Sequence, residues 1–446
     1  MNPEATLERQ RLGPASPAHK PPPCDVLVTQ GWGRIAYNIV RSLARRGLKV
    51  ALGTDDFLGM AALSRYPAAT FRHPPFVRQA AGFIGSLKDA FQKFGPKVYI
   101  PSDQEILVVA QSLEQLRDLG VRIPIAPFAT LRELHKKDTI HRLAISFNLP
   151  TPESIVPKTL SEIHEFAQEF GGPLVVKRLS SSSARGISFI TPAQLHAANG
   201  AGGFQGLKFG EFLVQRYVGG TGYGVSMLFN QGQLRAKFTH KRLRETAPSG
   251  GVSTLRISAR NPLLEEYAEH LLRRVGFHGV AMVEFRYDEA LQKAWLIEVN
   301  PRFWGSLALA IHSGVDFPHL LYSMALNGDV APVFDYRLNV QGRWILGDAV
   351  AMFRQLRRTG RIPMAAPPTI SARSYDDLDW SDPLPFAAEI VLSAIKYWKT
   401  RRRNLHESDL PVDCLSAGPP AREQAEPAAF PSSSREACHE SRTVRL

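Results

Sequence analysis

Short apolar runs and helix-period stripes alternate along the first part of the chain, and their order predicts a parallel α/β unit. Residues 25–29 (DVLVT) are an apolar run punctuated by Gln30-Gly31-Trp32-Gly33. Ile35, Ile39, Val40 and Leu43 then recur at helical spacing, and Gly47 is placed to stop that helix. Residues 48–52 predict a second strand, 97–101 a third and 121–125 a fourth. Strand, loop, helix and strand in that order predict a small doubly wound, Rossmann-like domain over residues 24–128. A helix is predicted over 131–147, broken by Leu149-Pro150-Thr151-Pro152.

Beyond that break the pattern changes. Residues 174–177 and 187–190 read as strands flanking the loop Ser180-Ser181-Ser182-Ser183-Ala184-Arg185-Gly186, which predicts an antiparallel hairpin. Residues 212–215 add a strand, and 280–285 pairs with 294–299 around Tyr287-Asp288-Glu289. The result is an α+β body over 129–330. Two helices, 344–358 and 386–398, predict a helical extension over 331–405. Residues 1–23 and the Pro-, Ser- and Ala-rich stretch 406–446 are expected to be a disordered leader and tail.

With 446 residues, 44% of them hydrophobic, the chain has the material for two or three packed units. Its three cysteines, Cys24, Cys414 and Cys438, have no partners at metal-ligand spacing, so neither a disulfide framework nor a zinc site is expected. A reducing, cytoplasmic setting fits that usage. The leader lacks the apolar core of a signal peptide, and no apolar run approaches the ~20 residues of a membrane helix. A formal charge of +13 raises the question of nucleic acid, but the basic residues are dispersed and carry no recognition motif. An enzyme handling phosphates and carboxylates, with no nucleic-acid partner, is the more economical reading.

The candidate chemistry centres on Glu284 and on Glu298-Val299-Asn300-Pro301-Arg302. Both glutamates sit in apolar strands, where an unpaired charge is costly. Side chains of paired strands face one another, so Glu284, Glu298 and Asn300 converge on one hard cation, and oxygen-only ligands suit Mg²⁺. Arg302 is placed to reach the same phosphates.

This constellation resembles the metal-binding motif of the ATP-grasp superfamily, which includes biotin carboxylase, the carbamoyl-phosphate synthetase large chain and D-alanine–D-alanine ligase. The resemblance spans roughly residues 25–328, with its motifs in the family's order. It implies a pre-ATP-grasp domain followed by a two-lobe ATP-grasp fold, with a small lobe at about 150–215 and a large lobe at about 216–330. Lys137 resembles the first ATP-binding lysine, and Asn148 stands where glycine is usual in the turn that follows. Lys177 resembles the second lysine. Taken alone, each lysine reads as a surface residue; their order relative to the glutamates raises them. The loop with Ser182 and Gly186 resembles the flexible lid over the phosphates, although Ser-rich loops are also common linkers. Gln215, Tyr217 and Val218 resemble the adenine-binding hinge. Arg242, which also reads as part of a solvated charged face, resembles the basic contact between hinge and metal site. Ser102-Asp103-Gln104-Glu105 resembles the first domain's loop that faces the active site.

The implied activity uses ATP and Mg²⁺, with Mn²⁺ as a substitute. A substrate carboxylate becomes an acyl-phosphate, and an amine displaces phosphate. Small-molecule carboxylate and amine substrates are the expected partners, and a homodimer is compatible with the reading. Alternatives are a carbamoyl-phosphate synthetase-like or carboxylase-type enzyme and a catalytically silent nucleotide-binding protein. A carboxylase needs a partner carrying biotin, which this chain lacks, so a stand-alone ligase is favoured. Gly31-x-Gly33-x-x-Ala36 with Asp55 partly imitates a dinucleotide fingerprint, but Trp32 would crowd the pyrophosphate. Lastly, Phe386, Ile390, Val391, Ala394, Ile395 and Trp398 form an apolar stripe before Lys399-Thr400-Arg401-Arg402-Arg403. A core-packed helix with a solvated basic end is favoured there over peripheral membrane association through 386–403.

Overall fold

The computed structural model describes residues 23–179, 187–196, 204–246, 251–361 and 372–400. The first unit contains β1 (Val26–Val28), α1 (Arg34–Arg45), β2 (Val50–Thr54), β3 (Ala69–Arg72), α2 (Ala80–Phe94) and β4 (Val98–Ile100). Its four strands pair in parallel in the order β3-β2-β1-β4. β1, β2 and β4 are buried along their whole length, as continuous apolar strands covered on both faces must be. The strand expected at 121–125 is absent: Arg122 makes only a single parallel bridge with Val98. Pro124 has no N–H to extend a ladder there.

Next come α3 (Ile106–Gln111), α4 (Leu113–Arg117), α5 (Phe128–His135) and α6 (Lys137–Ser146). The single helix expected over 131–147 is therefore two. Lys136 between them is extended at φ −86° and ψ 125°, so Lys137 opens α6 instead of lying in a helix interior. Asn148 follows α6 at φ 55°, the left-handed conformation for which glycine or asparagine is suited.

The small lobe contains β5 (Ser154–Ile155), α7 (Leu160–Phe170), β6 (Leu174–Arg178), β7 (Ile187–Ile190), α8 (Pro192–His196) and β8 (Phe212–Arg216). Its sheet runs β5-β8-β6-β7 with antiparallel pairing throughout, including the expected β6–β7 hairpin. Ile163, Phe166, Val176, Phe212 and Val214 give it a core of its own.

The remaining elements are β9 (Thr221–Asn230), β10 (Gln233–Glu245), β11 (Ser253–Ala259), α9 (Pro262–Arg274), β12 (Gly279–Asp288), β13 (Lys293–Asn300), α10 (Leu307–Ser313), α11 (Phe317–Asn327), β14 (Val340–Arg343), α12 (Ile345–Thr359), β15 (Ala372–Tyr375) and α13 (Leu384–Thr400). The strands form one sheet in the order β13-β12-β9-β10-β11-β14-β15. The segment 331–405 is thus not only helical, since β14 and β15 complete this sheet.

The first unit and the large sheet share their cores. Leu27, Tyr99 and Leu131 belong to one apolar cluster with Val225, Phe229 and Ala281, and Val28 and Ile39 to another with Phe238 and Trp304. Of the stripe expected to bury α13, Ile390, Val391, Ala394 and Ile395 are exposed and Phe386 is half-buried. Its inner face is instead Ala388, Glu389, Leu392 and Ser393, positioned where Glu389 accepts a hydrogen bond from Trp344 Nε1 at 2.9 Å. Arg401, Arg402 and Arg403 lie outside the described residues. Among the described residues no helix is long and apolar enough to cross a membrane.

Candidate functional site

Where the first unit, the small lobe and the large sheet meet, they enclose a cleft. The loop 30–36, Asp103, Lys177, Gln215, Tyr217, Val218, Arg242, Glu284, Glu298, Asn300 and Arg302 all line it. Its floor is the β12–β13 pair. Antiparallel register sets Glu284 directly opposite Glu298 and Met282 opposite Asn300, so the acidic positions project to the cleft while Val283 and Phe285 face the core. Neighbouring β9 brings glycines instead of side chains to this face. A Cβ on Gly224 would stand 2.4 Å from the His240 ring, and one on Gly222 would stand 2.8 Å from Arg242 Cδ. These two positions let the β10 side chains lie down over the sheet.

The cations converge on that floor. Arg242 reaches Glu284 at 2.5 Å and Glu245 at 3.0 Å. Asn300 Nδ2 donates to Glu284 Oε1 at 3.2 Å and to Glu298 Oε1 at 3.4 Å. Lys137 Nζ lies 4.0 Å from Glu298 Oε2. Lys177 Nζ donates to Gln215 Oε1 at 2.6 Å, and Gln215 Nε2 donates on to Ser154 Oγ at 2.8 Å. Arg302 is turned toward the first unit, 3.1 Å from Asp103 Oδ1, and also donates to the Phe303 carbonyl at 2.9 Å.

Burial raises the Glu284 carboxyl and the Glu298 charge adds to the rise, with Arg242 opposing both. At Glu298 burial also pushes upward, but Lys137, Lys177, Arg242 and the Asn300 amide outweigh it, and the carboxyl ends below its ordinary value. Two opposed carboxylates therefore coexist only because cations surround them. Burial lowers Lys177 to about 8; Lys137 and Arg286 add to the fall and Glu298 resists it. Burial, Lys137 and Arg302 together push His135 down to about 3, leaving it neutral.

Asp103 itself is held by a buried frame. Glu105 accepts from Ser102 N at 2.7 Å, Asp103 N at 2.9 Å and Thr29 Oγ1 at 2.8 Å, and burial raises its carboxyl to about 7. The apolar wall opposite includes Val175, Ile187, Phe189 and Ile297. Tyr217 is half-exposed on that side, edge-on to Phe189 at 5.8 Å between ring centroids, and its backbone N–H is taken by the Pro173 carbonyl.

The structure thus brings together Lys137, Lys177, Gln215, Tyr217, Val218, Arg242, Glu284, Glu298, Asn300 and Arg302. Ser182 and Gly186 lie outside the described residues. Sequence reasoning missed His135, Arg286, Arg34 and Trp344, whereas His240 and Glu245 lie in the segment 239–245 that it placed between hinge and metal site. Arg34 carried a signal, since it lies within the Gly31–Ala36 turn that imitated a dinucleotide fingerprint; that turn faces this same cleft.

A family model described as "ATP-grasp in the biosynthetic pathway with Ter operon" matches residues 208–345. Solved structures share the fold at low identity. The biotin carboxylase domain of the Hydrogenobacter thermophilus 2-oxoglutarate carboxylase, a dimer crystallised with MgADP, ADP and bicarbonate, is 15% identical, with TM-score 0.57 over 71% of this chain and 73% of its own. N5-carboxyaminoimidazole synthetase from Staphylococcus aureus, complexed with ADP, is 17% identical, with TM-score 0.56 over 71% and 80%. The L-amino acid ligase from Bacillus licheniformis is 17% identical, with TM-score 0.52 over 68% and 74%. The chain carries the ATP-grasp fold. Its resemblance to the ATP-grasp superfamily, first carried by the glutamate pair and the two lysines, holds in both the family match and the structural neighbours.

Proposed function

We propose that this protein is an ATP- and Mg²⁺-dependent ligase that activates a small carboxylate as an acyl-phosphate and joins it to an amine, releasing ADP and phosphate. The observation that carries the reading is the opposed pair Glu284 and Glu298, set on adjacent strands and surrounded by Lys137, Lys177 and Arg242. The donor set fits a hard cation: two carboxylates and one side-chain amide, all oxygen ligands. Among the described residues no group of three or more His, Cys, Asp or Glu is arranged to hold a metal ion, so Asn300 and phosphate oxygens would complete the sphere. Glu284, Glu298 and Asn300 would hold Mg²⁺, or Mn²⁺ in its place, which when bound supplies charge neutralisation to the triphosphate.

The chain's own residues do the rest. Lys137 and Lys177 hold phosphate oxygens, and the apolar wall with Gln215, Tyr217 and Val218 receives the adenine. A carboxylate oxygen of the substrate attacks the γ-phosphorus, the bond to the β,γ-bridging oxygen breaks, and ADP leaves. Arg242 and Arg302 stabilise charge on the migrating phosphoryl group. The amine then attacks the acyl carbon, loses its proton, and phosphate departs with the electron pair of the broken C–O bond.

The fold is common to carboxylases and ligases, so the choice between them falls to experiment. Release of ADP and phosphate from Mg-ATP is expected to be stimulated by a pool of amino acids and small carboxylates. Glu298→Gln and Arg302→Ala are each expected to lower the stimulated rate by about 10²-fold or more. Stimulation by bicarbonate alone would favour the carboxylase-type reaction, and full turnover in Glu298→Gln would sink the site assignment.

A further inference from the structure

One end of the cleft is formed by the loop 30–34, the turn 304–306 and Trp344. Arg34 dominates it. Its guanidinium carbon lies 3.8 Å from the centroid of the Trp344 ring, within stacking distance. Its Nε reaches the Gly305 carbonyl at 3.4 Å, and a Cβ on residue 305 would come within 2.7 Å of Nη2. Glycine at 305 therefore allows the guanidinium to lie against the backbone, and Trp344 fixes it from the other side. Trp344 is itself anchored through its Nε1 to Glu389. Among the described residues no carboxylate forms an ion pair with Arg34, although Arg242 and Arg302 in the same cleft both have one.

Two more donors at this end lack acceptors. Gln30 is 3% exposed; its Oε1 accepts from Trp32 Nε1 at 2.8 Å, but its buried Nε2 has no hydrogen-bond partner. Its backbone stands at φ 63°, a left-handed conformation that a non-glycine residue adopts at a cost. The indole N–H of buried Trp304 is likewise without a partner. A buried donor left unsatisfied costs about 1–3 kcal/mol, so a cluster of donors with no acceptor points to a ligand rich in oxygen acceptors. The partly exposed indole of Trp32 brings flat apolar surface beside those donors, with the Trp344 indole already stacked under Arg34.

We infer that this end of the cleft binds the carboxylate substrate, that Arg34 is the residue that anchors its anionic group, and that the substrate carries a planar or aromatic body. The inference rests on the proposed ligase reading and names its substrate class. The carboxylate accepts from the Nη groups of Arg34, and the Gln30 amide supplies a further donor. Arginine is suited to this because its planar fork stacks on an indole and chelates a carboxylate at the same time, whereas a lysine ammonium is a point charge with no planar fork.

The test uses the full chain, saturated with Mg²⁺ and the non-hydrolysable analogue AMPPNP, and titrates phenylacetate against its neutral analogue phenylacetamide by calorimetry. Phenylacetate is expected to bind at least tenfold more tightly than the amide. Arg34→Met should weaken phenylacetate at least tenfold and erase the preference for the anion, while the AMPPNP Kd stays within twofold of wild type. Gly305→Ala keeps the charge but crowds it, and should also weaken phenylacetate selectively. It serves as the deciding variant if Arg34→Met fails to fold. Equal binding of acid and amide, no binding of phenylacetate, or undiminished binding by the variants would overturn the inference. If wild type does not bind AMPPNP, it is the nucleotide reading that fails, and the same titration without nucleotide still decides the role of Arg34.

Discussion

Lys177 has its ammonium on an amide oxygen, Gln215 Oε1, and not on a carboxylate. Burial brings its pKa from 10.5 to about 8, so the free protein loses this charge as pH rises past 8. ATP affinity should therefore fall from pH 7 to pH 9 in wild type. In Lys177→Arg that loss should largely disappear, because guanidinium stays charged; an unchanged pH dependence would remove Lys177 from the phosphate site. Stability responds in the opposite sense. Between pH 8 and 10.5 the unfolded chain binds the proton that the folded chain has released, so the folded state gains as pH rises through that window. Lys177→Met should accordingly raise the stability of the nucleotide-free protein at pH 7, by about 1–2 kcal/mol after the cost of leaving Gln215 Oε1 unpaired. Thermal melts with and without Mg-ATP check both halves: a higher midpoint without nucleotide, and no further rise with it.

At the scale of elements, the far end of the large sheet depends on a buried ion pair. Arg256 on β11 contacts Asp376, just beyond β15, and neither side chain is exposed. Removing one partner strands the other charge, so Asp376→Ala should cost about 3–5 kcal/mol, read as a lower urea midpoint. Arg256→Met with Asp376→Leu should recover most of that loss; a double variant as unstable as the single one would show that the pair is not the cause. Strands of this sheet differ in how legible they are in the sequence. The β12–β13 pair stood out because two glutamates interrupt otherwise apolar alternation, a conflict that local pattern reveals. β10 was harder to read, since Lys241, Arg242 and Arg244 read equally well as a solvated charged face, and only Arg242 stood out as a basic contact. In the fold Arg244 meets Asp348 with both carboxylate oxygens at 2.7 Å, and Arg242 meets Glu284. Those partners come from elements far along the chain, and no local window contains them. Arg34 and Trp344 escaped notice for the same reason, because their contact joins the first helix to the start of α12.

Across the whole molecule, the cleft exists only where three sheets meet. The first unit supplies the loop 30–34 and Asp103, the small lobe supplies Lys177 and Gln215, and the large sheet supplies the glutamates. The Asp103–Arg302 ion pair ties the first unit directly to the floor of the site. That arrangement suits a reaction needing nucleotide and carboxylate held against each other and kept from water, as an acyl-phosphate requires. The most direct measurement is trapping of that intermediate. Protein is incubated with Mg-ATP, pooled small and aromatic carboxylates and hydroxylamine, and acyl hydroxamate is quantified against ADP. The account predicts hydroxamate in step with ADP in wild type and neither product above background in Glu298→Gln. ADP released without hydroxamate, or hydroxamate formed equally well by Glu298→Gln, would contradict it.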